Sequence, residues 1–250
     1  MPNKKKPKKS PRKRFHGDLA RICRNLVAQE YGDRPLDFRK EFSWRIFRIM
    51  SEFVEGFEFL YDLRREVSFF GSARFKETNH HYKEARELAR MLAKEGFTMI
   101  TGGGPGIMEA GNRGAIEGNG LSVGLNIQLP NEQRVNPWVR RSIAFHYFFT
   151  RKVMLSISAQ AYVFFPGGFG TLDEFFELVT LVQTKKVEPI KIICVGKDFW
   201  QTLDTWIAKH VENEHHSIDP EDRNIYTIVE DIHEAFEILK KTKEKKYGNV

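Results

Sequence analysis

Between Asp37 and Arg65, apolar residues recur at three- and four-residue steps: Phe42, Ile46, Ile49, Phe53, Phe57 and Leu60, with charged residues such as Arg45, Arg48, Glu52 and Glu55 between them. That period predicts an amphipathic helix whose aromatic-rich stripe packs as core or subunit interface. Residues 15–36, with Gly32 and Pro35 near their end, predict a shorter helix and a link. From Glu66 the period changes. Short β-rich apolar runs at 67–70, 97–100, 121–125, 161–165, 191–195 and 226–229 alternate with helical stretches at 82–94, after Gly106, at 150–158, 175–182, 199–213 and 232–243. The segment 142–149 leans towards strand. Such alternation predicts βαβ units. The expected fold is therefore α/β, a Rossmann-like doubly wound parallel sheet with flanking helices and an N-terminal helical extension.

The sharpest local signal follows the apolar run 161–165. Pro166-Gly167-Gly168-Phe169-Gly170-Thr171-Leu172-Asp173-Glu174 joins a predicted strand to a predicted helix. Glycines at 167, 168 and 170 let the backbone approach a ligand closely, and the free amides of a helix's first turn attract anions. This is the pattern of a phosphate cradle, with two carboxylates within one turn of the bound anion. Thr171 to Glu174 also fits a capping box, which would need no ligand. Gly102-Gly103-Gly104-Pro105-Gly106 forms a second strand-end cluster and Gly71-Ser72-Ala73-Arg74 a third. No dinucleotide fingerprint is present: counted from Gly102 the sixth position is Ile107, and from Gly104 it is Glu109. No phosphate loop of the G-x-x-x-x-G-K-[ST] type occurs either. Three loops meeting at the carboxyl edge of a sheet would hold one phosphate from several sides, which suits a mononucleotide.

Charge changes the picture only at one end. The 250-residue chain carries a formal charge of +7, but residues 1–14 alone hold eight Lys or Arg and no acid. The basicity is therefore a tail, expected to be disordered and, lacking aromatics for stacking, to have no specific nucleic-acid partner. A 41% hydrophobic content without a bilayer-length apolar run, and an N-terminus without a signal-peptide core, predict a cytosolic protein with no membrane partner. Cys23 and Cys194 lie far apart without ligand spacing, so neither a disulfide framework nor a metal site is expected. His80/His81 and His215/His216 read as surface residues, and His146 as structural. The domains expected are a tail at 1–14, a helical extension at 15–65 and a catalytic domain at 66–250.

The run Gly102–Met108, then Thr150-Arg151-Lys152, then Pro166–Glu174 resembles the paired signature of the Lonely guy family of phosphoribohydrolases, often mislabelled lysine decarboxylases. The likeness covers roughly residues 66–245, and the helical stretch before it is similar to the longer, bacterial-type branch. It implies hydrolysis of the N-glycosidic bond of AMP, or of an N6-substituted relative of the cytokinin type, to free base and ribose 5-phosphate. It further implies that Arg151 and Glu174 are catalytic and that Gly168–Thr171 form the phosphate loop beside the basic Lys152. No cofactor or metal is implied, and a homodimer or higher homo-oligomer is. Phe169 and Asp173 depart mildly from the family's usual residues, and the segment 124–128 departs more.

The chemistry agrees with these residues. N-glycoside hydrolysis passes through an oxocarbenium-like state, which a carboxylate at Glu174 can stabilise while it orients or deprotonates water. Arg151 can hold the phosphate or stabilise charge on the leaving purine. Ser72, Gly103, Gly104, Met108 and Gly167 complete the expected nucleotide site, with Glu132 a candidate for the ribose or base side. The competing reading is a non-catalytic protein that binds a phosphorylated ligand in the same cradle, as molybdenum-cofactor carriers of similar fold do.

Overall fold

The computed structural model describes residues 38–128 and 135–244, with side chains from residue 44 onward. The basic tail, the 15–36 stretch, Cys23 and Glu132 lie outside the described residues, as does the side chain of Phe42. The chain divides into two compact units, residues 1–48 and 49–250. In the first, the rings of Trp44 and Phe47 meet edge-on at 6.3 Å. The second holds the sheet.

β1 (Glu66–Phe70) lies at the middle of a seven-stranded sheet. On one side follow β2 (Thr98–Thr101), β3 (Ser122–Ile127) and β4 (Arg141–Phe145); on the other β5 (Ala161–Phe164), β6 (Lys191–Val195) and β7 (Tyr226–Val229). Every pairing is parallel, with Val67 opposite Met99 on one flank and Ala161 on the other. The chain walks outward from β1 to β4 and then returns to lay β5 against the other side of β1. That reversal makes the carboxyl ends of β1 and β5 the switch point of the sheet, where such folds open a crevice.

The central strands are buried on both faces, and their alternation sends side chains into two cores. Val67, Phe69, Val163 and Ile193 pack under α2 (His80–Lys94), α3 (Ile107–Glu117) and α7 (Ile232–Leu239). Phe70, Tyr162, Phe164 and Ile192 pack on the other face, under the 53–60 part of α1 (Phe38–Tyr61) and under α4 (Phe148–Ile157), α5 (Phe169–Gln183) and α6 (Lys197–Trp206). Each fully buried Phe or Leu contributes about 2 kcal/mol relative to exposure. Helix starts follow local chemistry: Asn79 accepts from the His81 amide at 2.9 Å, and Asp231 from those of His233 and Glu234 at 2.7 and 3.0 Å.

The doubly wound expectation is met, with three local corrections. The 142–149 segment divides: β4 ends at Phe145, and Phe148 and Phe149 open α4. β4 is an edge strand with alternating exposure, so its apolar content gave a weak signal. The expected helix at 199–213 changes at Ile207 into a π-helical stretch running to Glu214. Most instructive is α1, whose stripe is buried only in part: Leu60 is buried and Phe53 packs against the core, whereas Phe57 is exposed along with Met50, Val54 and Tyr61, and the charged Glu52 is buried.

Candidate active site

The loops after β1, β2 and β5 converge at the switch point and are stitched by backbone hydrogen bonds. The Ser72 amide donates to the Pro166 carbonyl at 3.0 Å, and the Ile107 amide donates to the Ser72 carbonyl at 3.1 Å. This close approach demands glycine at position 106, where φ is +70° and a Cβ would collide with the Ser72 carbonyl. The second glycine loop is fixed from below by a buried amide network. Asn112 accepts from Thr101 Oγ1 at 2.6 Å and from Asn136 Nδ2 at 2.9 Å, while Asn136 reaches the carbonyls of Gly103 and Gly104, each at 2.9 Å.

Gly168 and Gly170 behave differently. Their φ angles do not fall in the left-handed region, and among the described residues nothing lies within 4 Å of a Cβ built on either. The chain itself therefore gives no reason for glycine at these positions. Bare backbone here leaves room for something that is not protein. α5 starts at Phe169 with Gly168 as its cap residue in extended conformation, and no side chain caps it. The capping-box reading is thereby corrected, since Thr171 lies inside the first turn rather than before it. Its hydroxyl packs over Gly167, and its amide donates to the Gly168 carbonyl at 3.0 Å. The amides of Phe169 and Gly170, earlier in the turn, donate to no carbonyl among the described residues.

A cavity of roughly 860 Å³ opens over this turn. One wall is Gly71–Phe75, another Pro166–Asp173, and Gly102, Met108, Arg151 and Glu174 close the polar end. Arg151, from the first turn of α4, donates from Nε to the Leu125 carbonyl at 2.6 Å, and its Nη2 lies where a Cβ of Gly102 would stand. Burial lowers its pKa, and Glu174 works in the opposite direction. Glu174 is buried, and its Oε2 has no hydrogen-bond partner among the described residues. Burial first, then the neighbouring Glu177, raises its pKa from 4.5 to about 7, against the pull of Lys152 and Arg151. Lys152 is drawn elsewhere: its Nζ lies 2.6 Å from Asp173 and 3.2 Å from Glu177. Burial opposes the Lys152 charge, but its hydrogen bonds with these two acids outweigh that and raise its pKa. Bare first-turn backbone thus lies beside an acid whose pKa burial raises to about 7.

Of the residues expected at the site, Ser72, Met108, Arg151, Gly167, Gly168, Phe169, Gly170, Thr171 and Glu174 line the cavity. Gly103, Gly104 and Lys152 stand behind it: Gly102 supplies the lining glycine, and Lys152 faces Asp173 and Glu177. Sequence reasoning missed the apolar walls, Phe75, Phe148, Leu155 and Phe199, because nothing in their spacing links them. It also misread His81, which is buried, with Nδ1 3.0 Å from Glu84 and its ring against Phe75. His80, His81 and Glu84 are the group of potential metal-ligand side chains that come together among the described residues, at a helix N-terminus whose dipole opposes a cation.

A family model described as "possible lysine decarboxylase" matches residues 108–239, more than half of the chain. The chain belongs to this family. The matched stretch of this family member carries Arg151, Lys152 and the whole of Gly167–Glu174, whereas the glycine loop at 102–106 and the Ser72 loop precede it. A rice protein named as a probable cytokinin riboside 5′-monophosphate phosphoribohydrolase is 30% identical over 59% of this chain and 61% of its own length. A phosphoribohydrolase of the same type from Arabidopsis thaliana is 27% identical over 60% of this chain and 70% of its own. The chain thus spans about three fifths of the rice relative's length. Solved structures share the fold: a molybdenum cofactor binding protein from Rippkaea orientalis at 22% identity, covering 70% of this chain and 93% of its own with a TM-score of 0.51. The molybdenum cofactor carrier protein of Chlamydomonas reinhardtii matches at 18% identity over 71% of this chain and 96% of its own, with a TM-score of 0.50. No helix among the described residues is long and apolar enough to cross a membrane.

Proposed function

We propose that the protein hydrolyses the N-glycosidic bond of a purine nucleoside 5′-monophosphate, AMP or an N6-substituted relative, releasing free base and ribose 5-phosphate. The observation that carries this reading is Glu174: a buried acid with an unpartnered oxygen, facing the same cavity as an open anion cradle. Such a group costs stability unless a ligand or a reaction uses it, and a carboxylate whose pKa lies near neutrality suits proton transfer.

The phosphate sits on the first-turn amides of α5 at Gly168–Thr171, where the helix dipole and bare glycine backbone favour it. The ribose then lies over the next turn, against Glu174. As the bond from C1′ to the purine nitrogen breaks, its electron pair leaves with the base and positive charge grows on the sugar. Ionised Glu174 stabilises that charge and takes a proton from the water whose oxygen bonds to C1′, and the departing base gains a proton. Arg151 holds a fixed cation against the phosphate or the negative charge on the leaving purine, its orientation set by the Leu125 carbonyl.

Incubation with AMP, N6-isopentenyl-AMP and the matching nucleosides, with free base followed by chromatography, tests this reading. Base should appear from monophosphates only. Ligand bound without any release of base would replace the hydrolase with a carrier of a phosphorylated ligand, the activity named for the proteins of similar fold.

A further inference from the structure

α4 carries Arg151, and its own sequence provides no cap. The cap residue is Tyr147, and no side-chain capping bond comes from it. Phe148 and Phe149, the next two residues, offer no acceptor either. The backbone amides of His146 and Tyr147, which lead into the helix, find their acceptor outside α4.

The missing acceptor comes from α1, nearly a hundred residues earlier. Glu52 Oε1 accepts from the His146 amide at 2.8 Å, and Oε2 accepts from the Tyr147 amide at 3.2 Å and from Thr150 Oγ1 at 2.6 Å. Its side chain is buried, so these bonds work with little competition from water. The negative charge also stands at the positive end of the α4 dipole. Helix contact is close because Gly56, one turn further along α1, faces the Met154 side chain, whose sulfur would stand 2.6 Å from a Cβ there. Glu52, Gly56 and Leu60 thus form the buried ridge of α1 that meets α4 and the sheet.

Thr150 and Arg151 are adjacent, and the Arg151 amide donates to the Tyr147 carbonyl at 3.3 Å, inside the turn that Glu52 holds. The Arg151 side chain is then pinned at its far end by Leu125. We infer that Glu52 is a positioning residue for the proposed reaction: by capping α4 from the helical extension, it fixes the first turn from which Arg151 reaches the cavity. This rests on the proposed role of Arg151. Glu52 touches no substrate itself; it acts through the backbone of α4.

The test compares Glu52→Gln with Glu55→Gln, a control on the exposed side of α1 whose carboxylate accepts from Ser51 Oγ at 2.9 Å. Glutamine keeps the shape of Glu52 but removes the charge and turns a donor towards backbone amides. Three quantities are read on full-length, folded protein: amide hydrogen exchange over residues 146–151, kcat and KM for base release from AMP, and AMP affinity by calorimetry. The expected result for Glu52→Gln is exchange accelerated about tenfold at His146 and Tyr147, with kcat lowered on the order of tenfold and KM changed far less, as misplacement of a catalytic group does. Glu55→Gln should match the parent in all three. Exchange in Glu52→Gln equal to that of the control would overturn the capping role, and faster exchange with unchanged kcat would overturn the positioning role. A parent protein that binds AMP but releases no base would sink the proposed reaction alone. AMP affinity then decides on Glu52, a fivefold or greater loss in Glu52→Gln supporting it and equal affinity overturning it.

Discussion

The loop Pro166–Thr171 and the helix α1 are both rich in signals, yet their signals differ in kind. In the loop, the residues that matter are chosen by backbone chemistry: glycine where the chain must be bare, a helix start where amides must be free. Those demands are local, and Gly168 and Gly170 meet them with open space around them. In α1, the choice of buried face is made by partners far away in sequence. Its aromatic stripe predicts core or subunit interface; Leu60 of that stripe is buried and Phe57 exposed, while Glu52 between them is buried because it satisfies three donors around the start of α4. A periodic pattern reports which faces are apolar; only tertiary partners say which face goes inside.

Three substitutions sharpen that contrast, beginning with the largest effect. Gly106→Ala should cost about 3 kcal/mol in chemical unfolding, since its positive φ and the Ser72 carbonyl leave no place for a methyl group. Gly170→Ala should do the reverse, leaving stability unchanged or raising it by up to about 1 kcal/mol as alanine replaces glycine in a helix, while slowing base release roughly tenfold. Equal losses of stability in both would erase the distinction between glycines kept for the fold and glycines kept for a ligand. Glu52→Gln is the matching break on the helix side, with its effect read at α4 rather than at α1.

The titration of Glu174 sharpens the contrast further. Its pKa in the folded protein is about 7, above the ordinary 4.5, so folding favours the protonated form. The stabilisation this gives is fully present below about pH 4.5 and is lost as pH rises through about 7. Wild-type protein should therefore lose more stability between pH 5 and pH 8 than Glu174→Gln does, in thermal unfolding at both pH values. Activity should run the other way. If the ionised carboxylate is the working form, kcat/KM rises with pH through about 7. Glu177→Gln, which removes a like charge and frees Lys152, should move that rise to lower pH. A rise that stays in place in Glu177→Gln would remove Glu177 from the electrostatics of the site.

Much of the fold was legible because burial on both faces writes strands as continuous apolar runs; 161–165 and 191–195 are such runs, and their helices follow at once. β4 and the start of α4 were not, because an edge strand buries one face and Phe148 and Phe149 suit strand and helix alike. Within the candidate site, Arg151, Glu174 and the glycines stand out in the sequence as types that the proposed chemistry requires, and the fold brings them to one cavity. The network around Asn112 and Asn136 was not, because an asparagine in a loop gives no sign that it will bond to the carbonyls of another loop. Glu52 was hidden for the same reason: a glutamate in a helix reads as solvated until its partners are known.

The most direct test of the central claim is base release from AMP by wild-type protein and by Glu174→Gln, with AMP binding measured in both. The account predicts adenine and ribose 5-phosphate from the wild type, a loss of 10²–10⁴-fold in kcat in the variant, as expected when a general base is removed, and AMP still bound by both. Equal release from the two proteins would contradict the role of Glu174, and no release from the wild type despite bound AMP would contradict the hydrolase itself.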